Sequence, residues 1–92
     1  MADPPLACWL CRRPLGARVE WHHPLPKSQG GRVVEPVHPI CHRTIHASVG
    51  NAELARAYAD PDALRAHPAI ARFLGWIADK PADFHAPTRK RR

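Results

Sequence analysis

The chain is poor in most of what a large fold needs. Its 92 residues include one methionine, one tyrosine and two phenylalanines, and no apolar run approaches the roughly 20 residues a membrane helix requires. A membrane partner is therefore not expected. Three cysteines cannot all pair within one chain, which favours metal binding over a disulfide framework. The opening stretch has no basic segment followed by a long apolar one, so no secretory signal is expected and the cysteines are read in a reducing compartment. Acidic side chains are also scarce, at eight against 14 Lys and Arg, for a net charge of +6. That imbalance suits a polyanionic partner such as nucleic acid.

What the chain does have is 11 prolines, five glycines and 45% hydrophobic residues. The prolines and glycines cut that apolar content into short elements. A single domain of this size has a marginal core and commonly relies on a metal, a disulfide or a partner for stability. The sequence divides into an N-terminal tail (1–7), a Cys- and His-rich core (8–49), a helical cover (50–85) and a basic tail (86–92). In the core, the β-branched and aromatic residues of Arg18 to His23 predict a strand, Gly30-Gly31 a tight loop, Arg32 to Glu35 a second strand stopped by Pro36, and Ile40 to about Ser48 a helix. In the cover, Asn51 and Asp60 or Asp62 are predicted helix caps. Ile70, Phe73, Leu74 and Ile77 fall at i, i+3, i+4 and i+7, one apolar stripe. Tyr58, Phe73, Trp76 and Ile77 are read as core. The fold class is α+β.

Two groups of side chains carry chemistry. Cys8-x-x-Cys11 and, after 26 intervening residues, His38-x-x-Cys41 form two knuckles with four soft ligands. That set matches tetrahedral Zn²⁺ with no open position, which makes a structural site. The second group is His22, His23, His42 and His46. Spaced by four on a helix, His42 and His46 project from one face and can share an ion. His22 and His23, adjacent on a strand, point to opposite faces. One can therefore reach a metal while the other stands beside it as a base, with histidine's ordinary pKa of about 6.5 suited to taking a proton at neutral pH.

The string Glu20-Trp21-His22-His23-Pro24-Leu25-Pro26-Lys27, followed by Gly30-Gly31 and Cys41-His42-Arg43-Thr44-Ile45-His46, resembles the HNH endonucleases (ββα-metal or His-Me finger nucleases). It is similar in particular to small bacterial and phage members with two zinc knuckles. The resemblance is carried from Cys8 to His46, and the stretches Glu53-Leu54-Ala55 and Phe73 to Phe84 look like the helical tail of one subgroup. It implies a zinc-stapled ββα-metal finger followed by two or three short helices, in a cytoplasmic protein of bacterial or phage origin. His22, His42 and His46 match the ligands of a catalytic divalent ion, His42 more firmly than His46. His23 matches the general base, and Glu20 an acidic position beside the active site. The family's central asparagine is missing, with Val33 nearest its place by spacing. Valine cannot supply the backbone hydrogen bonds that hold the loop, so the alternative is a catalytically inactive zinc-finger adaptor that binds nucleic acid.

The activity so implied is metal-dependent hydrolysis of DNA phosphodiester bonds. Three imidazole ligands suit Mn²⁺, Ni²⁺, Co²⁺ or Zn²⁺ better than Mg²⁺, which prefers oxygen. Lys27 and Arg32 beside the loop and Arg43 on the metal-binding helix are expected phosphate contacts, joined by Arg12, Arg13 and the basic tail. As phosphate contacts they position DNA without reading its sequence.

Overall fold

A computed structural model describes residues 7–87 as a small α+β domain with a two-stranded sheet and four helices. The basic run Thr88 to Arg92 lies outside the described residues. Strand β1 (Glu20–His22) pairs antiparallel with β2 (Glu35–Val37), in the register Glu20↔Val37, Trp21↔Pro36 and His22↔Glu35. Helix α1 (Pro39–Ser48) follows directly and packs on β1. Then come α2 (Asn51–Ala57), α3 (Pro61–Ala66) and α4 (Pro68–Ile77).

Both strands differ from the sequence expectation. β1 begins later than Arg18 because the backbone N–H groups of Ala17 and Arg18 donate to the Asp83 carboxylate at 3.1 and 3.2 Å, so that stretch is held by a side chain and not by a ladder. β2 lies further along than expected and contains Pro36 instead of stopping before it. The Pro36 carbonyl accepts from the Trp9 backbone N–H at 2.8 Å. In an extended chain N–H and C=O of one residue point to the same side, so the donor that proline lacks would have faced away from β1. Pro36 therefore costs the sheet no ladder hydrogen bond.

The helices start where prolines allow. Pro39, Pro61 and Pro68 each occupy a first-turn position, where their missing N–H is no loss. Asp60 caps α3 by accepting from the Ala63 backbone N–H at 3.1 Å, as its sequence position predicts. His67 Nδ1 caps α4 by accepting from Ala69. Asn51 is no cap; it is the first residue of α2, and Gly50 precedes it at the cap position.

The core gathers Leu10, Ile45, Leu54, Leu64, Ile70 and Ile77 under the knuckle cysteines Cys8 and Cys41. Tyr58 and Phe73 pack against it half-buried. Trp76 departs from expectation, at 46% exposed. It stands six residues beyond Ile70, about 240° around the helix from a stripe that Ile70 and Ile77 define, so it faces outward. Its indole rests against Phe84 and Phe73, with the Lys80 ammonium 5.2 Å from its ring centre.

Candidate metal centre

The first knuckle is a tight turn in which the Cys11 backbone N–H donates to Cys8 Sγ and the Arg12 N–H to the Cys8 carbonyl. The chain leaves the turn through Arg12 at φ 67°. The second knuckle is the start of α1: His38 precedes the helix in an extended conformation and Cys41 lies in its first turn. Together they bring the ligand atoms of Cys8, Cys11, His38 and Cys41 within 4.8 Å of one another.

The donor set fits zinc in distance and in orientation. His38 Nδ1 lies 3.3 Å from Cys11 Sγ and 3.7 Å from Cys41 Sγ. Tetrahedral Zn–S and Zn–N bonds would set those separations at about 3.5 Å. His38 Nε2 stands 2.9 Å from the Pro14 carbonyl oxygen, so its N–H donates there and Nδ1 keeps its lone pair for the thiol cluster. An outer partner of this kind fixes ring and tautomer in many metal sites. Ionisation points the same way. Hydrogen bonds from Cys11 and Cys41 hold the Cys8 thiol far below its ordinary range, while sharing those protons with Cys11 and Cys8, together with burial, drives Cys41 far above it. Three crowded thiols cannot all ionise unless a cation offsets their charge. A structural metal such as zinc is what these four residues could hold.

The three histidines of the second group also converge. Their ring centroids lie 5.5 Å (His22–His42), 5.5 Å (His22–His46) and 4.8 Å (His42–His46) apart, and their ligand nitrogens fall within 4.8 Å. The Nε2 atoms of His42 and His46 are 3.2 Å apart, close to the roughly 3.3 Å edge of a nitrogen tetrahedron around a divalent ion. His42 Nδ1 lies 3.0 Å from Glu20 Oε1. Donation to that carboxylate leaves the lone pair of Nε2 facing the cluster, a carboxylate–histidine arrangement common at metal sites.

His22 is the most telling member. It is fully buried, and neither ring nitrogen has a hydrogen-bond partner. Orphaned buried polar atoms are rare and call for an explanation such as an ion. Burial, reinforced by repulsion from His42, His46 and His23, pulls its pKa down to about 4. The ring is therefore neutral at pH 7, the form that ligates metal. His46 is pulled down too, by burial and then by His42. Trp9 from the first knuckle closes the site, its ring centre 5.3 Å from that of His22.

The remaining predicted residues flank this centre. His23 follows β1, is half-buried, and acts electrostatically on His22. Lys27, Arg32 and Arg43 are exposed. Arg12 and Arg13, by contrast, are engaged within the molecule: Arg12 pairs with Asp62 at 3.3 Å, and Arg13 donates to the Lys80 carbonyl. Val33, expected near a loop-holding position, is 68% exposed. The loop is tied by its own backbone instead, with the Gln29 and Gly31 N–H groups donating to the Pro26 carbonyl and Gly30 N–H to that of Lys27.

Sequence reasoning missed Pro14, Trp9, Arg65 and Asp83. Arg65 donates to the Trp9 and Leu10 carbonyls, both at 2.7 Å, and to Asp62 at 2.8 Å. None of these four carries a local signal, although Trp9 stands inside the C-x-x-C.

Fold and site thus define a small α+β protein with a Cys₃His group able to hold a structural metal, and none of the helices among the described residues is long and apolar enough to cross a membrane. Across 86 residues, 90% of the chain, it is 36% identical to the uncharacterized protein YisB of Bacillus subtilis (strain 168), covering 84% of that protein. The chain belongs to the same family as YisB. No family model matches the chain, and no solved structure does.

Proposed function

We propose that the chain is a metal-dependent DNA endonuclease of the HNH type, built as a zinc-stapled ββα-metal finger. The observation that carries this reading is the convergence of His22, His42 and His46 around a point where the buried His22 ring has no other partner. A divalent ion held there would act as a Lewis acid, offsetting charge that develops on the scissile phosphoryl group and its 3′ leaving oxygen.

The chain's own residues supply the rest. His22, kept neutral by burial, and His42, oriented by Glu20, present lone pairs to one centre. His23 takes the proton from the attacking water. The exposed cations Lys27, Arg32 and Arg43 contact flanking phosphates, so binding weakens steeply with added salt. The self-tied backbone of the 26–31 loop supports an active site despite the missing asparagine, because Val33 has nothing to hold.

Supercoiled plasmid incubated with the zinc-loaded protein and Mn²⁺ or Ni²⁺ tests the reading. Nicking is expected, weaker with Mg²⁺ alone, and His23→Ala should lower its rate by about 10²- to 10⁴-fold while DNA binding persists. Binding without nicking in any of these ions would select the inactive adaptor. Nicking unchanged in His23→Ala would remove His23 as the base.

A further inference from the structure

Five large apolar side chains are exposed among the described residues, and four of them, Trp21, Leu25, Val33 and Val34, fall within the hairpin that carries the histidines. Strand alternation separates Trp21 from the site. Glu20 and His22 both meet α1, through His42 and the histidine rings, so Trp21 between them faces the other way. Trp21 is 52% exposed over its cross-strand neighbour Pro36, and Val34 lies two residues before that proline. An indole left in water on an otherwise well-packed small domain is an unfilled contact.

The exposed charge around it is mainly positive. Arg18, Lys27 and Arg32 are exposed in the same stretch, whereas of its two acidic residues Glu20 is spent on His42 and Glu35, the cross-strand neighbour of His22, lies on the face away from Trp21. Cations alone would suit the backbone of any duplex. A flat aromatic face flanked by apolar side chains gains nothing from phosphates, and in an intact duplex the base faces are already stacked. Both features are satisfied together by a strand whose bases are unpaired.

We infer that the outer face of this hairpin is a stacking platform for unpaired nucleotides, so that the preferred DNA has a single-stranded segment beside the site. This rests on the nucleic-acid reading above and narrows its substrate class. Trp21 stacks on a base, Val33 and Val34 extend the apolar surface, and Arg18, Lys27 and Arg32 follow the backbone.

Binding of labelled oligothymidylate and of a blunt duplex of equal length, measured by anisotropy on zinc-loaded protein without other divalent ions, tests this. The single strand should bind several-fold more tightly than the duplex and quench tryptophan emission. Trp21→Ala should lose the quench and about tenfold in single-strand affinity, with Trp21→Phe retaining most of it. The double variant Val33→Ser/Val34→Ser should shift affinity in the same direction and guards against a folding defect in the first. Preference for the duplex, or undiminished single-strand binding by both Trp21→Ala and the double variant, would overturn the inference. So would a parent that sediments as a dimer and a Trp21→Ala variant that sediments as a monomer, since a second copy then covers the face. Cleavage is not read in this assay. A protein that binds in this way but cuts nothing loses only the nuclease reading, and one that cuts with duplex preference loses only the platform.

Discussion

At the residue scale His22 stands out, because a fully buried imidazole with both nitrogens unpartnered carries a desolvation cost that a bound ion would offset. The same burial makes the fold sensitive to acid. The unfolded chain takes up the proton near pH 6.5, and the folded one only near about 4. Stability present above pH 6.5 is therefore lost as the pH falls from about 6.5 to about 4, by about 3 kcal/mol for this group. Urea titrations across that interval, with no divalent ion beyond the structural one, should show a slope that flattens by about this amount in His22→Gln. Equal slopes would mean that the ring is not buried neutral. The knuckle ligands and the histidines were legible in the sequence because soft ligands at fixed spacing are a local signal. The outward turn of Trp76 was less so, since it follows from which helix face the core occupies.

Single elements differ in how far local sequence determined them. α1, α3 and α4 begin at prolines and carry their apolar residues at helical spacing, so their placement could be read directly. The strands could not be placed to the residue. β2 includes Pro36 because Trp9, 27 positions earlier, binds its carbonyl, and β1 starts late because Asp83 takes the preceding amides. The loop between the strands depends on Gly31, which is buried so closely that a Cβ there would run into the Leu25 carbonyl oxygen. Gly31→Ala should therefore destabilise the protein by about 1–3 kcal/mol, seen as a lower melting temperature, with zinc content unchanged. A variant that melts like the parent would show that the loop is not so confined.

Across the whole molecule, the two Cys/His knuckles and the helical cover are fastened to each other. Arg65 reaches Trp9 and Leu10, Arg13 reaches Lys80, and Asp83 holds Ala17 and Arg18. Such links, 55 to 67 residues apart in sequence, leave no trace in local patterning. Their consequence is that loss of the ion should not stay local. Zinc binding in small domains is worth about 10–16 kcal/mol, as much as the entire stability of many folds. Cys41→Ser, or the parent treated with a strong chelator, should lose helical circular dichroism throughout the chain along with its zinc. A Cys41→Ser protein that melts normally with one zinc per chain would refute the four-ligand assignment.

The same fastenings impose an order on synthesis. The four knuckle ligands are all translated by Cys41, but the carboxylate that secures the 17–18 backbone belongs to Asp83. At about 5–20 residues per second the ribosome needs roughly a few seconds to travel between them. During that interval Cys8, Cys11 and Cys41 are already made while the cover is still being added, so a metal ion can meet all four ligands before Asp83 fastens the two parts.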